Sequence, residues 1–145
     1  MSVSQRGDPV YDRASAGASR RGDAALMCVA ALLGGVAVAV GAFGAHALDG
    51  QLTEKAQGWY QTATHYLLLH AVLAVACSAM RPVVGPAGCR AGWLLCAGAV
   101  VFSGTLLAMA FGAPRTLGAV TPIGGVLLLA GWGVLAGSAW RAARR

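Results

Sequence analysis

The side chains best suited to chemistry in this chain are its histidines, and all of them lie in one short segment. His46, His65 and His70 are the three histidines of the 145 residues. Imidazole titrates near neutral pH and also binds metal ions, so a group of histidines can move protons or hold a ligand. The segment from Gly41 to His70 is therefore where we expect a functional site.

His65 and His70 cannot act together on one helix face, because a separation of five residues turns their side chains about 140° apart. Tyr66 lies four residues before His70 and shares its face with Thr62. Four interpretations of this face stay open: a structural hydrogen-bond network, a pocket for a ligand or lipid headgroup, proton movement, and haem or metal ligation. Paired axial ligands of haem should lie at one depth, but His70 lies about 16 Å further along its helix than the interface residue Trp59, far below His46. We predict no metal site and no cofactor.

The elements that must position these residues are four long apolar stretches. They run over about residues 24–42, 60–80, 91–111 and 119–140. Each is close to the roughly 20 residues that a helix needs to cross a hydrocarbon core about 30 Å thick. Hydrophobic residues make up 57% of the chain and charged residues 11%. We therefore predict an all-α integral membrane protein, a bundle of four transmembrane helices that takes up residues 24–142.

The basic residues indicate how the bundle is oriented. The formal net charge is +6, and most basic side chains flank one set of span ends. That set comprises Arg20, Arg21, Arg81, Arg90, Arg141, Arg144 and Arg145. The opposite ends carry only Lys55 and Arg115. Because loops rich in Lys and Arg stay on the cytoplasmic side, we expect both termini to be cytoplasmic. The charge follows the span ends rather than a basic stripe, so no nucleic-acid partner is predicted.

The first 23 residues differ from the rest of the chain. Ser, Gly, Asp and Arg dominate, and Val10 and Tyr11 form the one pair of large apolar residues. Such a segment buries too little surface to offset its ordering entropy, so we predict a disordered cytoplasmic tail over residues 1–23. A cleaved signal peptide is the alternative. The apolar run that follows is longer than the about 7–15 residues of a signal core, which favours a first span.

Small residues and prolines predict how the spans pack and where they end. Gly34, Ala37, Gly41 and Ala45 recur at spacings of three and four in the first span, as do Gly104 and Ala108 in the third and Gly133 and Gly137 in the fourth. Such spacing allows close helix contact in membranes. Pro122 favours a helix that starts near Thr121, with Thr121 as its N-cap residue.

The sequence lacks the motifs that are typical of several catalytic and transport mechanisms. No Asp or Glu falls within a predicted span, so a carboxylate proton carrier is not expected there. Phosphate-binding loops, the Gly-x-Ser-x-Gly elbow and His-Glu-x-x-His do not occur in the sequence. Ser103 has no histidine or carboxylate placed near it by sequence. We therefore predict no catalytic residues and no enzyme.

Four short motifs occur in a distinctive order along the chain. They are Gly41-Ala-Phe-Gly44-Ala-His46, Trp59-Tyr-Gln-Thr62 leading into Tyr66 and His70, Phe102-Ser103-Gly104, and Val120-Thr121-Pro122-Ile-Gly-Gly125. In this order the chain resembles the small four-span membrane family that contains bacterial YgdD and animal transmembrane protein 256, classed as domain of unknown function 423. The resemblance covers about residues 24–142 and implies a multi-pass protein of the bacterial inner (plasma) membrane. It implies no activity. The N-terminal extension departs from the compact family pattern.

Topology places most of these motif residues on the half of the membrane that we expect to be periplasmic. We predict that they form one polar pocket from His46, Trp59, Thr62, Tyr66, His70 and Thr121. The other motif residues are predicted to be structural: Gly41, Gly44, Ser103, Gly104, Pro122 and Gly125. A non-enzymatic module that binds a lipid, a small ligand or a membrane partner through this pocket is the preferred function. The alternative is a small transporter or channel that works as a homo-oligomer and uses histidine titration.

Overall fold

The computed structural model describes residues 9–48 and 50–144, in which helices follow one another without a strand. The helices are α1 (Pro9–Ala47), α2 (Glu54–Ala79), α3 (Arg81–Val84), α4 (Pro86–Ala110) and α5 (Thr121–Ala142), with a 3₁₀ helix at Arg115–Ala119 before α5. Helices α1, α2, α4 and α5 are each long and apolar enough to cross a membrane. The predicted all-α fold with four spans is therefore confirmed.

Helix α1 extends well beyond the predicted first span. It begins at Pro9, so residues 9–23 are helical where we predicted a disordered tail, and residues 1–8 lie outside the described residues. Pro is well tolerated at the start of a helix, and the alanines and arginines that follow have high helix propensity. Extending an existing helix costs far less than nucleating one, so the apolar span can propagate into this polar segment.

The helices are arranged with α2 and α4 at the centre. Helix α1 packs mainly on α2, and α5 packs mainly on α4. Leu26 of α1, Leu95 of α4 and Leu128 of α5 are buried in one apolar cluster that also includes Cys77 and Cys96. Because there are four spans, the first half of α1 and the end of α5 lie at the same end of the bundle, which we call the arginine-rich end. The opposite end, where α1 ends and α2 begins, is the connector end.

Glycines bring α4 and α5 into backbone contact. A Cβ atom on Gly98 would lie 2.8 Å from the backbone nitrogen of Leu128, and one on Gly131 would lie 2.8 Å from the side chain of Leu95. Close approach through small residues is the usual way that membrane helices associate. Gly104 and Gly133, which the spacing predicted to be packing positions, instead have open space where a Cβ would be.

The predicted small-residue face of α1 does contact α2. Ala37 is buried, a Cβ on Gly34 would lie 3.8 Å from the Cβ of Ala71, and one on Gly41 would lie 3.2 Å from the Thr64 methyl group. These contacts confirm that packing within one chain uses this face.

An ion pair joins α1 to the start of α3 at the arginine-rich end. The guanidinium of Arg81 donates to a carboxylate oxygen of Asp23, and both side chains are largely shielded. The turn between α3 and α4 is made at Gly85, whose φ of +70° is accessible to glycine but costly for residues with a Cβ. Pro82 and Pro86 sit at the starts of α3 and α4, where a missing N–H costs nothing.

Candidate functional site

The two faces of α2 place the two histidines of this helix in different surroundings. His70 is only 7% exposed and points towards α4 and α5. His65 is exposed and lines a cavity between α1 and α2. His65 and His70 therefore lie on different faces of α2, as their spacing of five residues predicts.

Both ring nitrogens of His70 have partners. Its Nδ1 lies 2.7 Å from the carbonyl oxygen of Tyr66, and its Nε2 lies 3.4 Å from the indole nitrogen of Trp132. A carbonyl oxygen can only accept and an indole N–H can only donate, so Nδ1 carries the proton and Nε2 accepts. Both ring nitrogens of His70 are thus engaged in hydrogen bonds within the protein. The structure therefore favours the hydrogen-bond network among the four interpretations of this face.

Aromatic rings surround His70. The ring of Tyr66 stacks on His70 with centroids 5.6 Å apart and on Phe102 of α4 with centroids 4.6 Å apart. Tyr66 itself is 40% exposed at the surface of the bundle. We call His70, Tyr66, Phe102 and Trp132 the aromatic cluster; it joins α2, α4 and α5 by stacking and one side-chain hydrogen bond.

The other face of α2 borders a cavity of about 570 Å³ near the connector end. Helix α1 contributes Gly41, Gly44 and Ala45 to its wall. Helix α2 contributes polar and apolar side chains: Gln57, Tyr60, Gln61, Thr64, His65, Leu68 and Leu69. We call this the α1–α2 cavity. Its size falls in the range of about 300–1,000 Å³ that is usual for small-ligand sites.

Tyr60 and Thr64 form the fixed part of the wall. The hydroxyl of Tyr60 donates to the carbonyl of Val40 on α1, and the hydroxyl of Thr64 donates to the carbonyl of Tyr60 at 2.9 Å. Gly44 lies directly against the Tyr60 ring, where a Cβ would overlap it. The glycine therefore makes room for the ring, and the ring in turn ties α1 to α2.

Gln57, Gln61 and His65 differ from these two residues because their side chains are exposed. They follow one another at intervals of four residues and so form a stripe along α2. None of the hydrogen bonds among the described residues uses their side-chain atoms. The stripe supplies amide and imidazole groups that can donate to, or accept from, a molecule in the cavity.

The structure describes all six residues predicted to line one pocket, and only Tyr66 and His70 among them are shown in contact with each other. Tyr66 and His70 belong to the aromatic cluster. His46 and Thr62 are exposed and lie outside the α1–α2 cavity. Trp59 is half-buried, with the ammonium of Lys55 5.3 Å from its ring centre. None of these five residues lines the α1–α2 cavity, so the single pocket that we predicted is not formed there.

Thr121, the sixth of these residues, has a structural position rather than a place in a pocket. It is the first residue of α5, and Val120 occupies the N-cap position that we had predicted for it. Its hydroxyl lies 2.9 Å from the hydroxyl of Thr105 on α4, which can also donate to the carbonyl of Val101. Pro122 lies in the first turn of α5, as predicted from its restricted backbone.

The remaining motif residues are also dispersed. Gly41 and Gly44 line the α1–α2 cavity, whereas Gly104 and Gly125 have open space around them. Ser103 is 2% exposed, and its hydroxyl has no hydrogen-bond partner among the described residues.

Gln57, Gln61 and His65 were not predicted to form a stripe, because the predicted pocket lay on the face of His70. The signal was available: polar residues recur every four positions from Gln57 to His65 and are followed by Leu68 and Leu69. Gly41 and Gly44 are the small residues of α1 that line the same cavity.

Among the described residues, no group of three or more His, Cys, Asp or Glu side chains is placed to hold a metal ion.

Comparison with known proteins identifies a family for this architecture. A family profile described as "Protein of unknown function (DUF423)" matches residues 40–125. A UPF0382 membrane protein of Haemophilus influenzae is 44% identical over 108 residues, which cover 73% of this chain and 86% of the relative. One from Staphylococcus epidermidis is 43% identical over 100 residues, covering 69% and 82%. The UPF0382 inner membrane protein YgdD of Escherichia coli is 37% identical over 128 residues, covering 83% and 92%. No solved structure matches.

Proposed function

The chain belongs to the DUF423 family of membrane proteins, and from this premise we propose that it binds an amphiphilic molecule, a lipid or lipid-like compound, in the α1–α2 cavity. We propose further that it does so without catalysing a reaction, as a multi-pass protein of the bacterial inner membrane. The E. coli relative is named an inner membrane protein, which supports this location.

The polar stripe beside the cavity is the observation that carries the proposal. From Gln57 to His65 the stripe extends about 12 Å along the axis of a membrane-spanning helix. Unpaired amide and imidazole groups are costly when they face hydrocarbon, and polar residues in membrane helices usually face a cavity or a protein interior. A polar ligand group or water in the cavity would satisfy them.

The order of residues along the cavity indicates an amphiphile rather than a purely polar solute. Gln57 and Gln61 lie nearer the connector end, at the level where lipid headgroups would be. Leu68 and Leu69 line the deeper part. A headgroup hydrogen-bonded to the stripe would therefore leave its hydrocarbon portion against leucine side chains, where burial of apolar surface is favourable.

A binding role also fits the chemistry of the wall better than a catalytic one. The Thr64 hydroxyl already donates to the Tyr60 carbonyl, and the Tyr60 hydroxyl donates to Val40. Among the described residues that line the cavity there is no carboxylate to orient His65 as a base. These groups can position a ligand through hydrogen bonds.

The proposal is tested by identifying which lipids and small molecules co-purify with the protein in mild detergent from native membranes. A Gln61→Ala/His65→Ala variant removes two hydrogen-bonding groups, so we expect the bound amphiphile to fall about tenfold or more. Ala45→Phe fills the cavity from α1 and should have the same effect. Ala42→Phe, at an exposed position of α1 outside the cavity, is the matched control and should retain the ligand.

Equal ligand content in wild type and both cavity variants, with unchanged thermal stability, would refute the proposal. Reconstitution of the same proteins into liposomes separates binding from transport. Solute or proton flux that depends on His65 would replace the binding function with that of a transporter, for which oligomerisation would then be examined. Absence of flux together with loss of the amphiphile would support a binding module.

A further inference from the structure

A second cavity lies at the arginine-rich end, across the bundle from the α1–α2 cavity. It has a volume of about 450 Å³, is partly open at the surface, and is bordered by α3, the turn into α4, the first part of α4 and the last turns of α5. Arg90 of α4 and Arg141 of α5 both line it, as does the buried Ser138 of α5. Two helices that are far apart in sequence thus contribute one exposed arginine each to the lining of the same cavity.

These two arginines differ from other arginines at the same end of the bundle. Arg81 is paired with Asp23, and the guanidinium of Arg144 stacks 3.7 Å from the ring centre of Trp140. Arg90 and Arg141 take part in no ion pair or cation–π contact that joins described residues. The described residues that line their cavity include no Asp or Glu. The cavity therefore carries two positive charges without a counterion from these side chains.

The elements that carry the two arginines have fixed backbone positions beside the cavity. Gly85 makes the turn between α3 and α4, its positive φ sets the geometry of the turn, and Pro82 and Pro86 lie in the first turns of the two helices. Helix α5 is fixed against α4 by the glycine contacts at Gly98 and Gly131. Because the backbone positions of both arginines are constrained, a ligand that bridges them would lose less free energy to ordering than one bound to mobile loops.

We propose that this cavity binds a phosphate group. Guanidinium groups match phosphate oxygens in geometry and charge and form charge-assisted hydrogen bonds with them. The cavity lies at the helix ends, which is the depth of lipid headgroups, so the phosphodiester of an anionic lipid is one source and a soluble phosphate is the other. Basic pockets between membrane helices are a known way to bind such headgroups. This inference is independent of the amphiphile proposed for the α1–α2 cavity.

The test compares the full chain in nanodiscs of phosphatidylcholine with and without phosphatidylglycerol, by native mass spectrometry of the lipids that stay bound. We expect wild type to retain phosphatidylglycerol in preference to phosphatidylcholine. In Arg90→Gln/Arg141→Gln, retention should be about thirtyfold weaker, since each basic residue near an anionic headgroup contributes about 1 kcal/mol. Arg144→Gln removes a charge at the same membrane face but outside the cavity, and it should keep the preference.

Inorganic phosphate, titrated into protein held in a neutral detergent, distinguishes the two sources. Saturable phosphate binding that requires Arg90 and Arg141, without a preference for phosphatidylglycerol, would assign the site to a soluble phosphate. If wild type binds neither phosphatidylglycerol nor inorganic phosphate, the proposal is overturned. This outcome is measured on wild type alone and does not depend on whether a variant folds. A lipid preference lost equally in Arg144→Gln would also overturn it, because a diffuse surface charge would then be sufficient.

Discussion

The two faces of α2 carry the same kind of side chain and use it in opposite ways. His70 has a donor and an acceptor on its two ring nitrogens and is packed among aromatic rings. His65, five residues earlier, is exposed beside a cavity, and no hydrogen bond joins it to another described residue. One helix therefore places a hydrogen-bonded imidazole against its neighbouring helices and a second imidazole, without such partners, beside the α1–α2 cavity.

The comparison shows that the residue with the most partners is the poorer candidate for binding. A histidine whose nitrogens are both satisfied must break protein contacts before it can contact a ligand, and a buried donor left without an acceptor costs about 1–3 kcal/mol. An exposed histidine on a cavity wall has no such contacts to lose. Substitutions on the His70 face should therefore reduce stability, whereas substitutions on the His65 face should reduce binding.

The largest expected effect comes from removing His70. His70→Ala leaves a cavity among the aromatic rings and deprives the Trp132 N–H of its acceptor, so we expect a loss of about 2–4 kcal/mol in the free energy of unfolding. His65→Ala should change it by no more than about 0.5 kcal/mol, because an exposed side chain is removed. Chemical denaturation in detergent measures both. Equal destabilisation by the two variants would contradict the division between the faces.

An intermediate effect is expected at the contact that forms the α1–α2 cavity. In Gly44→Ala the new Cβ overlaps the Tyr60 ring, and displacing this ring breaks the hydrogen bond to Val40. Overpacking of this kind costs about 1–3 kcal/mol. Gly35→Ala is the control on the same helix, since a Cβ there meets open space. The same denaturation curves should show no loss for Gly35→Ala, and a harmless Gly44→Ala would mean that Tyr60 does not define the wall.

The smallest effect isolates one hydrogen bond of the His70 face. Trp132→Phe keeps a ring at the surface of α5 but removes the N–H that donates to His70 Nε2. We expect a loss of about 1 kcal/mol, the usual net value of such a bond. Trp140→Phe, whose ring lies beneath Arg144, is the control and should be close to neutral. A double-mutant cycle of Trp132→Phe with His70→Ala should give a coupling of at least about 0.5 kcal/mol; independent effects would show that the two rings do not interact.

Much of the fold could be predicted from local sequence. The apolar stretches at about 24–42, 60–80, 91–111 and 119–140 each lie largely within a helix of the structure, because a bilayer demands a continuous apolar helix of nearly fixed length. Helix ends were harder to predict. Residues 9–23 continue α1 as a helix although their composition resembles that of disordered segments, since a helix once formed extends at little cost.

The candidate site was predicted only in part. The segment from Gly41 to His70 does contain the cavity wall, and Tyr66 and His70 do share a face as their spacing requires. Which face borders a cavity was not predictable, because helical periodicity fixes angles between residues of one helix but not the rotation of that helix against its neighbours. The partner of Thr121 was unpredictable for the same reason. Its hydroxyl contacts that of Thr105, which lies on another helix and 16 residues earlier in the sequence.

By itself, the sequence determined that this is a four-span membrane protein of the DUF423 family. Hydropathy, span length and motif order depend only on the order of residues along the chain and not on contacts between helices. Only the tertiary structure decided which histidine is engaged and which is open. It also decided that Arg90 and Arg141 line one cavity, whereas Arg81 pairs with Asp23 and Arg144 contacts Trp140. The physical reason is that partners of polar groups are supplied by other helices, and glycine contacts such as Gly98 with Leu128 set where those helices lie.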